Sequence, residues 1–199
     1  MTRLRCIILV QFATILALGQ VAPKQPEALV RSLYGEVVAR QPVGLPRDAN
    51  MTTFTPYLSK ALIHRIDLTT ACESEYFRQH QNPNEKPPFY WLEFGIFSGG
   101  NERTSPRAFH IERTQSEKDG SFRVNVSLTW GPHPEGPEIW RVAAVVRRKE
   151  SHFVLDDVIF LKDEAMEAES RLSQILASGC DGGRWDGYGE HEYDLKRQR

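Results

Sequence analysis

Two acids stand side by side in an otherwise apolar run: Asp156 and Asp157 in FVLDDVIFLK. A carboxyl group held among apolar side chains resists ionisation, so its pKa rises and it can act as a general acid or base near neutral pH. Successive residues of a strand point to opposite faces, so adjacency does not make the two a facing pair. Alternation sends one of them inward and leaves the other in water. The structural alternative is that the inward acid only accepts hydrogen bonds from arginine, tyrosine or backbone donors. His110, in AFHIERTQ, falls on the same side of its strand as Glu112. A His–Asp arrangement across strands would move protons, whereas a surface histidine paired with Glu112 would move none.

Four further aromatics, Tyr90, Trp91, Trp130 and Trp140, are candidates to line a hydrophobic pocket. Aromatics of half-buried strands equally fill cores. His64, His80, His133, His152 and His191 lack the spacing of a ligand set, and the chain has neither CxxC nor HxH. No metal and no cofactor is therefore expected. Asp181, Asp186, Glu190 and Asp194 lie in CDGGRWDGYGEHEYD, but their spacing is not that of an EF-hand loop.

The cysteines depend on the compartment, which the N-terminus addresses. Arg3 and Arg5 precede an apolar run from Cys6 to Leu18, followed by Ala17-Leu18-Gly19. These are the basic, apolar and small-residue regions of a secretory signal peptide, with cleavage expected after Gly19. The run falls short of the ~18–20 residues that span a bilayer, so no stable membrane anchor is expected after cleavage. Three segments follow: a leader over 1–19, one domain over 20–178, and a glycine-rich polar tail over 179–199. In an exported protein, periplasmic or secreted, the remaining Cys72 and Cys180 have one possible intramolecular pairing. A staple is the reading adopted over free thiols, a nucleophile or metal ligands. It would make the tail a flap anchored by Cys180, with Trp185 and Tyr188 docking on the domain.

Loss of Arg3 and Arg5 takes two positive charges from a chain of 25 Lys+Arg and 26 Asp+Glu whose net charge is −1, leaving about −3. That balance argues against a nucleic-acid footprint, which needs clustered basic surface. Composition is ordinary, 40% hydrophobic and 26% charged, which suits one domain with a real core.

The elements that must position these residues follow from periodicity. PEALVRSLYGEVVAR predicts an amphipathic helix over 26–40, with Pro26 in its first turn and Pro42 as its stop. QPVGLPRDANMTT reads as a loop. A second helix is expected from Thr55 as N-cap and Pro56 at N1 to about His80. FYWLEFGIF, AFHIERTQ, SFRVNVSLTW, IWRVAAVVRRK and FVLDDVIFLK read as five strands, with Asp119-Gly120 turning the second into the third. A third helix is expected over 163–177, stopped by Gly179. Helices segregated from a run of antiparallel strands make an α+β fold, with N-terminal helices packed on a curved antiparallel sheet of four or five strands, a short C-terminal helix and the tail.

LVRSLYGEVVAR as an opening helix, TPYLSKALIHRI in the second, and the hairpin WRVAAVVRRKESHFVLDDVIFL together resemble the nuclear transport factor 2-like, or cystatin-like, superfamily, and most of all its exported bacterial members of unknown function. The resemblance covers about residues 26–162. It implies a cone-like sheet wrapped around helices, with a pocket at one end, and a superfamily of isomerases, dehydratases, small-ligand binders and interaction domains. Fold alone does not choose among these. The tail is additional to the pattern, and no catalytic residue of an enzyme member maps onto this chain. The expectation is a non-catalytic domain that binds a small apolar ligand or a protein partner. The alternatives are a cofactor-free isomerase, dehydratase or hydrolase using the inward aspartate, and a module that forms a homodimer through its sheet face.

Overall fold

The computed structural model describes residues 25–81, 89, 94–99, 105–131, 136–162 and 169–186. Residues 1–24, where a leader is expected, and Tyr90, Trp91, His133, Tyr188, Glu190, His191 and Asp194 lie outside them. The fold is α+β: helices, then a five-stranded antiparallel sheet, then a short helix and a two-stranded hairpin.

Helix α1, Pro26–Arg40, begins with Pro26, whose missing N–H costs nothing in a first turn, and ends before Pro42. Its Leu29, Val30, Leu33, Tyr34 and Val37 recur at helical spacing and are buried. The stretch 41–53, expected to be a loop, is one over 41–47, but from Asp48 it folds into α2, Asp48–Phe54, followed by a single 3-10 turn, Thr55–Tyr57. The polar residues that look loop-like are absorbed inside the helix: the hydroxyls of Thr52, Thr53 and Thr55 donate to carbonyls four residues back, at 3.1, 2.9 and 2.7 Å. The second long helix therefore does not start at Thr55. Leu58 is extended and bridges Leu155, and Ser59 caps α3, Lys60–Gln79, by accepting the Leu62 amide at 3.1 Å.

The described end of FYWLEFGIF is not a strand. The Phe94 carbonyl accepts from Gly44 N at 3.0 Å, and the Gly95 carbonyl accepts from Ser98 and Gly99 N at 2.9 and 2.7 Å, which closes a turn. Ile96 and Phe97 enter the core from that turn. The sheet follows as an antiparallel meander in the order β1, Ala108–Ser116; β2, Phe122–Trp130; β3, Glu138–Lys149; β4, His152–Phe160; β5, Ser170–Arg171. Helix α1 lies across one face, on Val124, Val126 and Leu128 of β2, Val142, Ala144 and Val146 of β3, and Phe153, Leu155, Val158 and Phe160 of β4. Two irregularities interrupt the ladder, between Ile111 and Arg113 and opposite Val145 and Val146.

The third helix is shorter than expected. Ser170 and Arg171 pair with Phe160 and Ile159 as β5, and α4 runs only from Leu172 to Ala177; residues 163–168 lie outside the described set. After Gly179, β6 (Cys180–Asp181) and β7 (Arg184–Trp185) form a hairpin on α3. Its turn needs two positive φ values, 53° at Gly182 and 85° at Gly183. A disulfide joins Cys72 of α3 to Cys180, as the cysteine count suggests. Trp185 docks beside Tyr76 and Phe89, with centroids 5.2 and 5.1 Å away.

Candidate functional site

Of the four aromatics expected to line a pocket, Trp130 and Trp140 lie among the described residues. Trp140 packs against the core and its indole N–H donates to the Ser98 carbonyl at 2.7 Å. Trp130 is half-buried at the end of β2, paired with Glu138. Phe54 and Phe97 meet with ring centroids 4.8 Å apart and planes tilted by 43°, and the Tyr34 hydroxyl donates to the Phe97 carbonyl at 2.9 Å. Burial pushes the Tyr34 phenol far above its ordinary range, so it stays a neutral donor.

The opposite face carries the cleft. Its position depends on the irregularity in β4, where Asp156 and Asp157 together oppose Val145. In such a bulge the extra residue resets the alternation: Phe153 and Leu155 face the core before it, Val158 and Phe160 after it. The two acids are thus not sent to opposite faces. Both border one cleft of about 630 Å³ on the side away from α1, and neither is an inward acid of the main core.

The cleft is walled by polar groups over an apolar floor. The floor is Val145 and Ile159 of the sheet with Ala61 and Leu62 of α3. One wall is the start of α3, set beyond the β4 edge by the Ser59 N–H, which donates to the Leu155 carbonyl at 2.8 Å. The other is the turn between β1 and β2, closed by Glu117 N to Ser121 O at 2.8 Å, with Gly120 at φ 78°. Within the turn, the Ser121 hydroxyl and amide donate to Asp119 at 2.6 and 3.0 Å. These bonds, with Arg147 beside them, hold the Asp119 carboxyl down to about 2.

Arg147 is the hub. Its Nε donates to Asp156 at 2.6 Å and its Nη2 to Asp119 at 2.8 Å, and these acids raise its own pKa, Asp156 most. Asp157 accepts from Val158 N at 2.9 Å, Ser173 N at 3.0 Å and the Ser173 hydroxyl at 2.7 Å, with Arg171 at 3.5 Å. It thereby satisfies an amide in the first turn of α4 that the helix itself leaves unpaired. Each aspartate thus has its own hydrogen-bond partners, although neither is the inward acid that strict alternation predicts.

His110 does not join them. It is exposed on β1, and β2 and β3 separate it from β4, about 14 Å at ordinary strand spacing. Glu112 pairs with Arg141 at 2.8 Å rather than with His110. Sequence reasoning missed Arg147, Asp119, Arg171 and Ser173 as site residues. Arg147 and Asp119 are 28 residues apart in the chain, and Arg171 and Ser173 lie in β5 and at the start of α4, so no local pattern marks them. Among the described residues no group of three or more His, Cys, Asp or Glu is placed to hold a metal ion, and no helix is long and apolar enough to cross a membrane. Compared with known proteins, the chain matches no family model, no curated protein and no solved structure.

Proposed function

We propose that this is an exported, non-catalytic binding domain whose ligand site is the cleft on the outer face of the sheet. The observation that carries the reading is the cleft's construction: an apolar floor, polar walls, and a volume of about 630 Å³, within the range of small-molecule sites. Chemistry has less support, because Asp156 and Asp157 are each occupied by arginine and hydroxyl or amide donors instead of standing unpaired in an apolar setting. Export is consistent with the leader-like first 19 residues and with a disulfide. Kinship with the nuclear transport factor 2-like superfamily belongs to the same proposal, supported by the order of helices before an antiparallel meander.

A homodimer through the sheet has a weaker basis. Away from the core, Arg123, Arg141 and Arg147 carry ion pairs, and Ile139 is the large apolar residue exposed there among the described residues. The test is a thermal-shift screen of small molecules with hits mapped by methyl NMR. Ligands that move the Val145 and Ile159 methyl signals support the cleft; hits that move only core methyls such as Val126 and Val142 would refute it.

A further inference from the structure

We infer that the cleft takes a small amphiphile with an anionic head, a carboxylate on an apolar body, and that Arg65 and Lys118 bind the head; the inference rests on the cleft being the ligand site. Five basic side chains line it, and three are already committed: Arg123 to Glu169 at 3.1 Å, Arg147 to Asp119 and Asp156, and Arg171 to Asp157. Arg65 and Lys118 make no ion pair among the described residues, and both are exposed at the cleft. Glu117 is the one lining acid also outside any such pair, so the groups left over favour an anion.

Their placement gives the ligand its shape. Arg65 projects from α3, beyond the β4 edge, and Lys118 from the turn between β1 and β2, so the two stand on opposite walls of the cleft. From β2 to β4 is two strand spacings, about 10 Å, a width that two long flexible cations reach over from both sides. Val145 and Ile159 belong to a small apolar cluster with Ala143 on this face, separate from the main core. An apolar body laid on that cluster leaves its acid at the rim, where the unpaired cations are. A ligand with a cationic head would meet Arg65 and Lys118, with Glu117 as the one lining carboxylate outside an ion pair.

The experiment is calorimetric titration of the full chain with three probes of equal tail, each below its micelle concentration: decanoate, decan-1-ol and decyltrimethylammonium. The expected result is preferential binding of decanoate, weakened about three- to tenfold by Arg65→Gln and by Lys118→Gln. Added salt should weaken it further, and Arg113→Gln, on the far strand β1, should leave it unchanged. Equal affinity for the three probes, or decanoate binding indifferent to both substitutions, would overturn the anionic head while leaving the cleft as a site. Binding of none of the probes, or decanoate binding that survives Ala61→Trp, which fills the cleft from exposed helix surface, would overturn the cleft itself.

Discussion

The Asp119 carboxyl sits well below its ordinary value of 3.8, at about 2, because the Ser121 hydroxyl and amide bond its charged form and Arg147 adds to them. A folded-state pKa below the unfolded one contributes stability that is present above about pH 4 and lost as the pH falls through about 2. The turn should therefore hold at mildly acid pH and loosen only near pH 2. Ser121→Ala removes the largest contribution, so a carboxyl NMR titration should find Asp119 shifted back up towards 3.8. A titration unchanged by that substitution would mean that the residue 121 amide and Arg147 set it without the hydroxyl. Asp157 makes a second residue-scale case. It is nearly buried and serves three donors, so Asp157→Ala should cost on the order of 1–3 kcal/mol in chemical denaturation. Asp156→Ala, at a more exposed ion pair, should cost about 1 kcal/mol or less.

Among the elements, the disulfide and the hairpin it holds make one unit. Cys72 is fully buried in α3 and bonded to Cys180 across a sequence separation of 108. Closing so long a loop stabilises by about 3–5 kcal/mol in the chain-entropy account. The double variant Cys72→Ala, Cys180→Ala should lose stability of that order. Hydrogen exchange should rise first over 178–186, since α3 keeps its buried Leu62 and Ile66 while the hairpin is left with Trp185 and with Gly183, where an added Cβ would come within 3.3 Å of the Leu68 side chain. Uniform exchange along α3 and the hairpin would contradict that order. The elements also differ in how plainly the sequence announces them. β2 alternates Phe122, Val124, Val126 and Leu128 with polar residues, and it is a strand with those positions facing the core. Helix α2 is hidden because its threonines satisfy themselves within the helix, and the break before α3 because Leu58 is spent on a bridge to Leu155. The bulge in β4 did leave a signal: the apolar positions run Phe153, Leu155, then Val158, Phe160, a change of phase across the two aspartates. Reading strict alternation through it puts the acids on opposite faces, whereas the phase change puts them together.

For the whole molecule, the sheet has two faces with different work. One packs with α1 and the Phe97 turn into the main core. The other is cut by a cleft whose walls come from α3, the β1–β2 turn and β5–α4, elements far apart in the chain. That is why composition and periodicity give the class of fold and the cysteine pair but not the site. The central claim is that this outer cleft, and not the core face, binds the ligand. The most direct test is native mass spectrometry of the protein taken from its own cells, beside Ala61→Trp prepared in the same way. The account predicts an added small-molecule mass on the wild-type chain, released on denaturation and absent from the variant; the same added mass on both, or a bare subunit in each, would contradict it.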